Sequence, residues 1–187
     1  MAALFMDRYS PLRTRTIALV GLMGVGKTSV GRRLATVLEL PFRDADVEVE
    51  AAAGRSIPEI FADLGEPAFR EGERRVISRL LDEPPHILAT GGGAFVSDET
   101  RALIKAKAVS VWLKADLDVL AKRLARKDNR PLLTGRDPKE VLQQQAEARY
   151  RYYGEADVTI ETSDAAHQVS VDQVIEAVSA YIESQPK

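Results

Sequence analysis

The residues with the clearest chemical purpose form one short run. Gly21-Leu22-Met23-Gly24-Val25-Gly26-Lys27-Thr28 fits the spacing G-x-x-x-x-G-K-[ST] at every fixed position. With Gly at roughly 7% of residues, a random chain of this length would match in about one case in a hundred. Glycines let backbone N–H groups converge on phosphate oxygens, and a following helix adds a partial positive charge. Lys27 would then reach the β and γ phosphates, and the Thr28 hydroxyl would serve Mg²⁺. The apolar run TIALV precedes the loop and the helix-like RRLATVLEL follows it, which is the strand–loop–helix context the motif needs. A nucleoside triphosphate site is expected.

Other residues bear on what receives the phosphoryl group. Asp44 and Asp46 follow a second short apolar segment and lie two apart, so on an extended backbone they face the same side. One could help hold the metal through water and the other could accept a proton from a hydroxyl; the alternative is a pair of solvated loop acids or helix N-caps. Gly91-Gly92-Gly93 ends the apolar run HILAT, leaving room for a small ligand or simply making a tight turn. Arg70 and Arg149 stand in helical segments, and a guanidinium grips a carboxylate with two parallel hydrogen bonds. Arg70 also has Glu66, Glu71 and Glu73 nearby, so an ion-pair role on the surface competes. The polar stretch RKDNRPLLTGR, residues 126–136, has Arg130 before a proline and Gly135 as a hinge candidate; it reads as a lid or as a solvated loop. The third apolar run carries no acid at its end, so the metal candidates are Thr28 and one of the two aspartates, Asp44 or Asp46. These residues leave two classes open: a small-molecule kinase, and a nucleotide switch or hydrolase working through a protein partner.

The elements that must position these groups alternate between strand and helix. Strands are expected at 16–21, 41–46, 86–93, 108–115 and 156–162. Helices are expected over 27–39, 47–53 with Gly54 as cap, from Ser56 to a break at Gly65, and from Glu66 through Leu81. Further helices are expected over 98–106 and 116–126, from the capping box at Asp137 to about Tyr153, and from a capping-box pattern at Ser170 to the end. Such alternation predicts an α/β protein, a three-layer sandwich around a five-stranded parallel sheet, with ligands at the carboxyl ends of the strands.

The 187 residues suit a single domain, with 1–15 as a tail before the first strand. Lys and Arg number 26 against 28 Asp and Glu, a net charge of −2, which favours neither nucleic acid nor a membrane surface as partner. There is no cysteine, hence no disulfide or thiolate chemistry. The apolar start is too short for a signal-peptide core and Asp7 interrupts it, so a cytoplasmic location is expected, with Met1 or Met6 as the start.

Taken together, GLMGVGKTSVGRRLA, FRDADVEVE, GRSIPEIFADLGEPAFR, ATGGGAF, NRPLL and EARYRYY resemble the shikimate kinases, in the same order and over about residues 16 to 162. Gluconate kinases have a similar loop but are not expected to share the other motifs together. The resemblance implies a nucleoside-monophosphate-kinase-like fold with a substrate-binding region at about 47–81 and a lid at 126–136. It implies transfer of the γ-phosphoryl of ATP to the 3-hydroxyl of shikimate, with Mg²⁺; separately, a monomer is expected. Gly24, Val25, Gly26, Lys27, Thr28 and Ser29 would contact ATP phosphates, with Thr28 ligating Mg²⁺ and Asp44 assisting through water. Asp46 would bind the substrate hydroxyls as the candidate base, and Arg70 and Arg149 would bind chiefly its carboxylate. The backbone of Gly91, Gly92 and Gly93 would meet the ring hydroxyls, Arg130 an ATP phosphate, and Arg123 the adenine. The loop ETSDAAHQVS lacks the proline that many family members carry there, so its adenine contacts stay unassigned.

Overall fold

The computed structural model describes residues 9–125, 137–163 and 167–186. Five strands form one parallel sheet: β1 (Thr16–Val20), β2 (Phe42–Asp44), β3 (Ile87–Ala89), β4 (Ala108–Ala115) and β5 (Val158–Thr162), in the order β2-β3-β1-β4-β5. The helices between them are α1 (Lys27–Leu38), α2 (Ala45–Ala53), α3 (Ile57–Leu80), α4 (Asp98–Lys107), α5 (Leu117–Ala125), α6 (Pro138–Tyr153) and α7 (His167–Ser184). The expected α/β sandwich is therefore present. The central strand β1 is buried at every residue, as a strand covered on both faces must be. No described helix is long and apolar enough to cross a membrane.

Register explains why the chemistry collects at one edge. Leu19 of β1 and Asp44 of β2 both pair with Ala89 of β3. The glycine loop after β1, the acids after β2 and the glycine triplet after β3 thus leave the sheet at the same height. The chain goes from β1 outward to β2, returns to β3, and crosses to β4 on the other side of β1. Reversals of this kind open the crevice in which α/β sheets bind ligands.

Three elements depart from the sequence expectation. The second strand ends at Asp44, and Asp46 falls in the first turn of α2 because the Asp44 side chain accepts a hydrogen bond from the Asp46 amide and caps the helix. The break expected at Gly65 is present: its non-helical φ of 81° and ψ of 171° kink α3 into two helical segments. Ser56 and Glu59 close a reciprocal capping box at its start. The third strand stops at Ala89, and Thr90 instead ties its amide and hydroxyl to the carbonyl of Leu19. Finally, α7 begins at His167, and Ser170 is buried within it. The apolar stripe of Val171, Val174, Ile175 and Val178 draws the helix onto the sheet before the presumed cap. Ahead of β1, a 3-10 turn at Pro11–Arg13 buries Leu12 in the core.

Candidate active site

The loop between β1 and α1 takes its path from three glycines with positive φ: Gly21 at 141°, Gly24 at 79° and Gly26 at 101°. At Gly21 an added Cβ would also run into the carbonyl oxygen of Leu113, so no other residue fits. Lys27 folds back over the loop and donates to the carbonyls of Gly21 at 2.8 Å and Leu22 at 3.0 Å. Thr28 donates its hydroxyl hydrogen to Asp44 Oδ2 at 2.9 Å, while Asp44 Oδ1 accepts from the Asp46 amide at 3.1 Å. Gly24, Gly26, Lys27, Thr28 and Ser29 line a cleft of about 180 Å³ with Asp44 and Asp46. Val25 buries its side chain and has only its backbone to offer.

The donors beside Thr28 are all oxygens, the set that Mg²⁺ prefers. No cluster of three or more His, Cys, Asp or Glu suited to a metal occurs among the described residues. A protein hydroxyl and one carboxylate therefore fit an ion that arrives with nucleotide phosphates and keeps much of its water.

A second cavity, of about 470 Å³, adjoins the first. It contains Arg70, Arg149 and all three glycines of the triplet, with Glu73 and Gln145, and with Val47, Ile57, Phe61 and Phe69 as an apolar wall. Met23, Asp46 and Gly92 line both cavities. Asp46 thus stands at the boundary between a phosphate-sized cleft and a larger chamber carrying two guanidinium groups.

The glycine triplet is tight for a reason the sequence did not reveal. None of the three has a positive φ, so conformation does not require glycine. Contact does. A Cβ at Gly91 would lie 2.6 Å from Glu73 Oε1 and 2.8 Å from Asp46 Oδ1. One at Gly92 would lie 3.3 Å from Arg149 Nη1, and one at Gly93 between 2.5 and 2.7 Å from the Arg70 guanidinium. The protein's own charged groups fill the space that the missing side chains leave.

Glu73 was not singled out from sequence, yet it is central. It is 2% exposed and accepts from Arg70 Nη1 at 2.7 Å through Oε2. Its Oε1 has no hydrogen-bond partner among the described residues. Burial raises its pKa above the usual carboxylate range, the Arg70 charge opposes that, and the Asp46 charge adds to it. Asp46 is pushed the same way. Its side chain meets solvent in the cleft, but the surrounding walls strip hydration from the charge; Asp44 adds repulsion, and Lys27 and Arg70 counter it.

Arg70 also contacts Glu66 at 3.4 Å, so both its expected ion-pairing and its placement in the cavity hold. Arg149 donates to Gln145 Oε1 at 3.3 Å. One turn on, the fully buried Tyr153 donates its hydroxyl hydrogen to the carbonyl of Gly92. The i, i+3 spacing of Arg70 to Glu73 and the i, i+4 spacing of Arg149 to Tyr153 place each pair on one helix face, the signal that could have found both. Arg123 of α5 donates to the Ser163 carbonyl at 2.9 Å and reaches the carbonyls of Gly24 and Val25 at 3.5 and 3.4 Å, linking the phosphate loop to the loop after β5. Arg130 and the stretch 126–136 lie outside the described residues.

The family model for shikimate kinase matches residues 23–179. A shikimate kinase of Caulobacter vibrioides is 71% identical over 172 residues, covering 92% of this chain and 86% of its own. One from Paramagnetospirillum magneticum is 56% identical over 182 residues, covering 95% and 93%. Among solved structures, a shikimate kinase from Acinetobacter baumannii in complex with shikimate superposes with a TM-score of 0.85 at 34% identity, covering 97% of this chain and 99% of that one.

Proposed function

The chain belongs to the shikimate kinase family and is an ATP-dependent kinase, and from that premise we propose that it transfers the γ-phosphoryl group of ATP to the 3-hydroxyl of shikimate. The observation that carries this reading is the shared position of Asp46, with the phosphate cleft on one side and the arginine-bearing chamber on the other. A kinase needs one group that sees both its substrates.

In this reading the amides of Gly24 to Ser29 cradle the ATP phosphates. Lys27 leaves the carbonyls of Gly21 and Leu22 to neutralise the moving phosphoryl. Transfer is largely dissociative, so positioning and charge stabilisation dominate. Mg²⁺ would be held by Thr28 directly and by Asp44 through water, and it supplies positive charge to the phosphate oxygens when bound. Arg70 and Arg149 fix the ring by its carboxylate. Asp46 orients the hydroxyl and takes its proton late, and a pKa raised by burial makes it a better base. Arg130 would reach an ATP phosphate and Arg123 the adenine. Residues 47–81 supply one wall of the acceptor's chamber, and 126–136 the lid. The working form in this reading is a cytoplasmic monomer.

ADP release, followed by a coupled NADH assay with MgATP, tests the proposal. Release should require shikimate and be absent with gluconate. Slow hydrolysis indifferent to shikimate would refute it.

A further inference from the structure

The Tyr153 hydroxyl is bound to the chamber without lining it. It donates to the carbonyl of Gly92, and its ring is fully buried against Trp112, with centroids 5.8 Å apart. A trans peptide sets the carbonyl of one residue antiparallel to the N–H of the next. Holding the Gly92 carbonyl toward α6 therefore aims the Gly93 N–H the opposite way. Among the described residues the amides of Gly92 and Gly93 have no hydrogen-bond acceptor, and both residues line the chamber. Arg149, four residues earlier on the same face of α6, lies against Gly92, and the Arg70 guanidinium lies against Gly93. This one peptide thus carries an unpaired backbone donor and lies beside both arginines.

We propose that Tyr153 is a positioning residue for the acceptor substrate: its hydroxyl locks the Gly92–Gly93 peptide so that the Gly93 N–H and the arginines beside it meet the acceptor in register. The idea rests on the shikimate kinase reading above. Its consequence is selective. The glycine triplet belongs to the acceptor chamber, whereas the nucleotide phosphates are cradled by the loop after β1. Loss of the hydroxyl should be felt by one substrate and not by the other.

The test compares wild type, Tyr153→Phe and Tyr150→Phe. Tyr150 packs on the same Trp112, with centroids 5.0 Å apart, so its variant removes a hydroxyl from the same aromatic cluster without touching Gly92. A net hydrogen bond of about 0.5–1.5 kcal/mol converts to roughly 2- to 12-fold. Tyr153→Phe should raise the KM for shikimate by about that factor and leave the KM for ATP within about twofold, with Tyr150→Phe matching wild type. Equal changes in both KM values, or the same split in Tyr150→Phe, would overturn the positioning role. A second measurement covers a variant that fails to fold. In isotopically labelled wild type, the Gly93 amide resonance should shift on addition of shikimate and stay in place with ADP alone; an amide that ignores shikimate overturns the proposal. Wild-type ADP release separates the two levels. Without shikimate-dependent release the kinase reading falls and this proposal with it, whereas release with no split in KM overturns Tyr153 alone.

Discussion

Gly93→Ala should damage the acceptor site while sparing the fold. The new Cβ would stand 2.5 Å from Nη2, 2.6 Å from Nη1 and 2.7 Å from Cζ of Arg70. With ordinary contact beginning near ~3.4 Å, the guanidinium must retreat by about 0.8 Å. The Arg70 Nη1 to Glu73 Oε2 bond is now 2.7 Å. Opened by that retreat it would reach about 3.5 Å, the limit of a hydrogen bond. A bond between charged groups contributes about 1.5–3 kcal/mol, which is roughly 12- to 140-fold. That is the expected fall in kcat/KM for shikimate, measured by coupled ADP release. The KM for ATP should stay within about twofold. Stability should fall by up to about 1.5–3 kcal/mol, because the buried Glu73 carboxylate loses its partner, while unfolding stays cooperative. Gly93 has no positive φ, so alanine adds no backbone strain. A kcat/KM for shikimate within about threefold of wild type would refute the reasoning, as would a parallel loss for ATP.

Arg149→Ala should raise the KM for shikimate by more than about tenfold and change the KM for ATP far less, since Arg149 lines only the larger chamber. In the wild type, kcat/KM should fall as pH drops through a group titrating above the usual aspartate range, because burial and Asp44 raise Asp46; Asp46→Asn should lose that limb and most turnover while still unfolding cooperatively. Glu73 is an acid whose folded pKa is raised, so its proton-linked stability is present below the unfolded value and lost as pH rises through the folded one. Denaturant titrations should therefore show Glu73→Gln gaining on wild type as pH rises toward neutrality, and a gap that does not change with pH would contradict this. Gly72 sits inside α3 with open space where a Cβ would go, so Gly72→Ala should stabilise by about 0.8–1 kcal/mol and raise Tm by about 2–4 °C in a calorimetric scan.

The parts of this protein that were legible in its sequence are those whose causes are local. A buried parallel strand must be apolar throughout, and the glycine loop must bend where phosphates bind, so β1, the loop and α1 could be read from one stretch of residues. The pairing of Asp44 with Asp46 was anticipated, with strand alternation and helix capping as its two readings. Strand alternation would set both acids on one side, whereas the structure uses a helix cap, the alternative weighed from the outset. One carboxylate turns back to the next helix and also takes the hydroxyl of Thr28, 16 residues earlier.

The glycine triplet shows where such reading stops. Its apolar approach and its three small residues indicated space, and the natural inference was space for a ligand. What occupies it is Glu73 and Asp46 at Gly91, Arg149 at Gly92 and Arg70 at Gly93. Those partners come from α2, α3 and α6, and only the register that brings the ends of β1, β2 and β3 to one height makes them neighbours. A glycine retained for contact looks in sequence like one retained for a turn, since both lack a side chain. The difference is the identity of the neighbour, which is a property of the packed chain. The same packing explains why Glu73 was missed: among the acids around Arg70 it alone is turned inward, at 2% exposure, and inward direction on a helix is decided by what lies across from it.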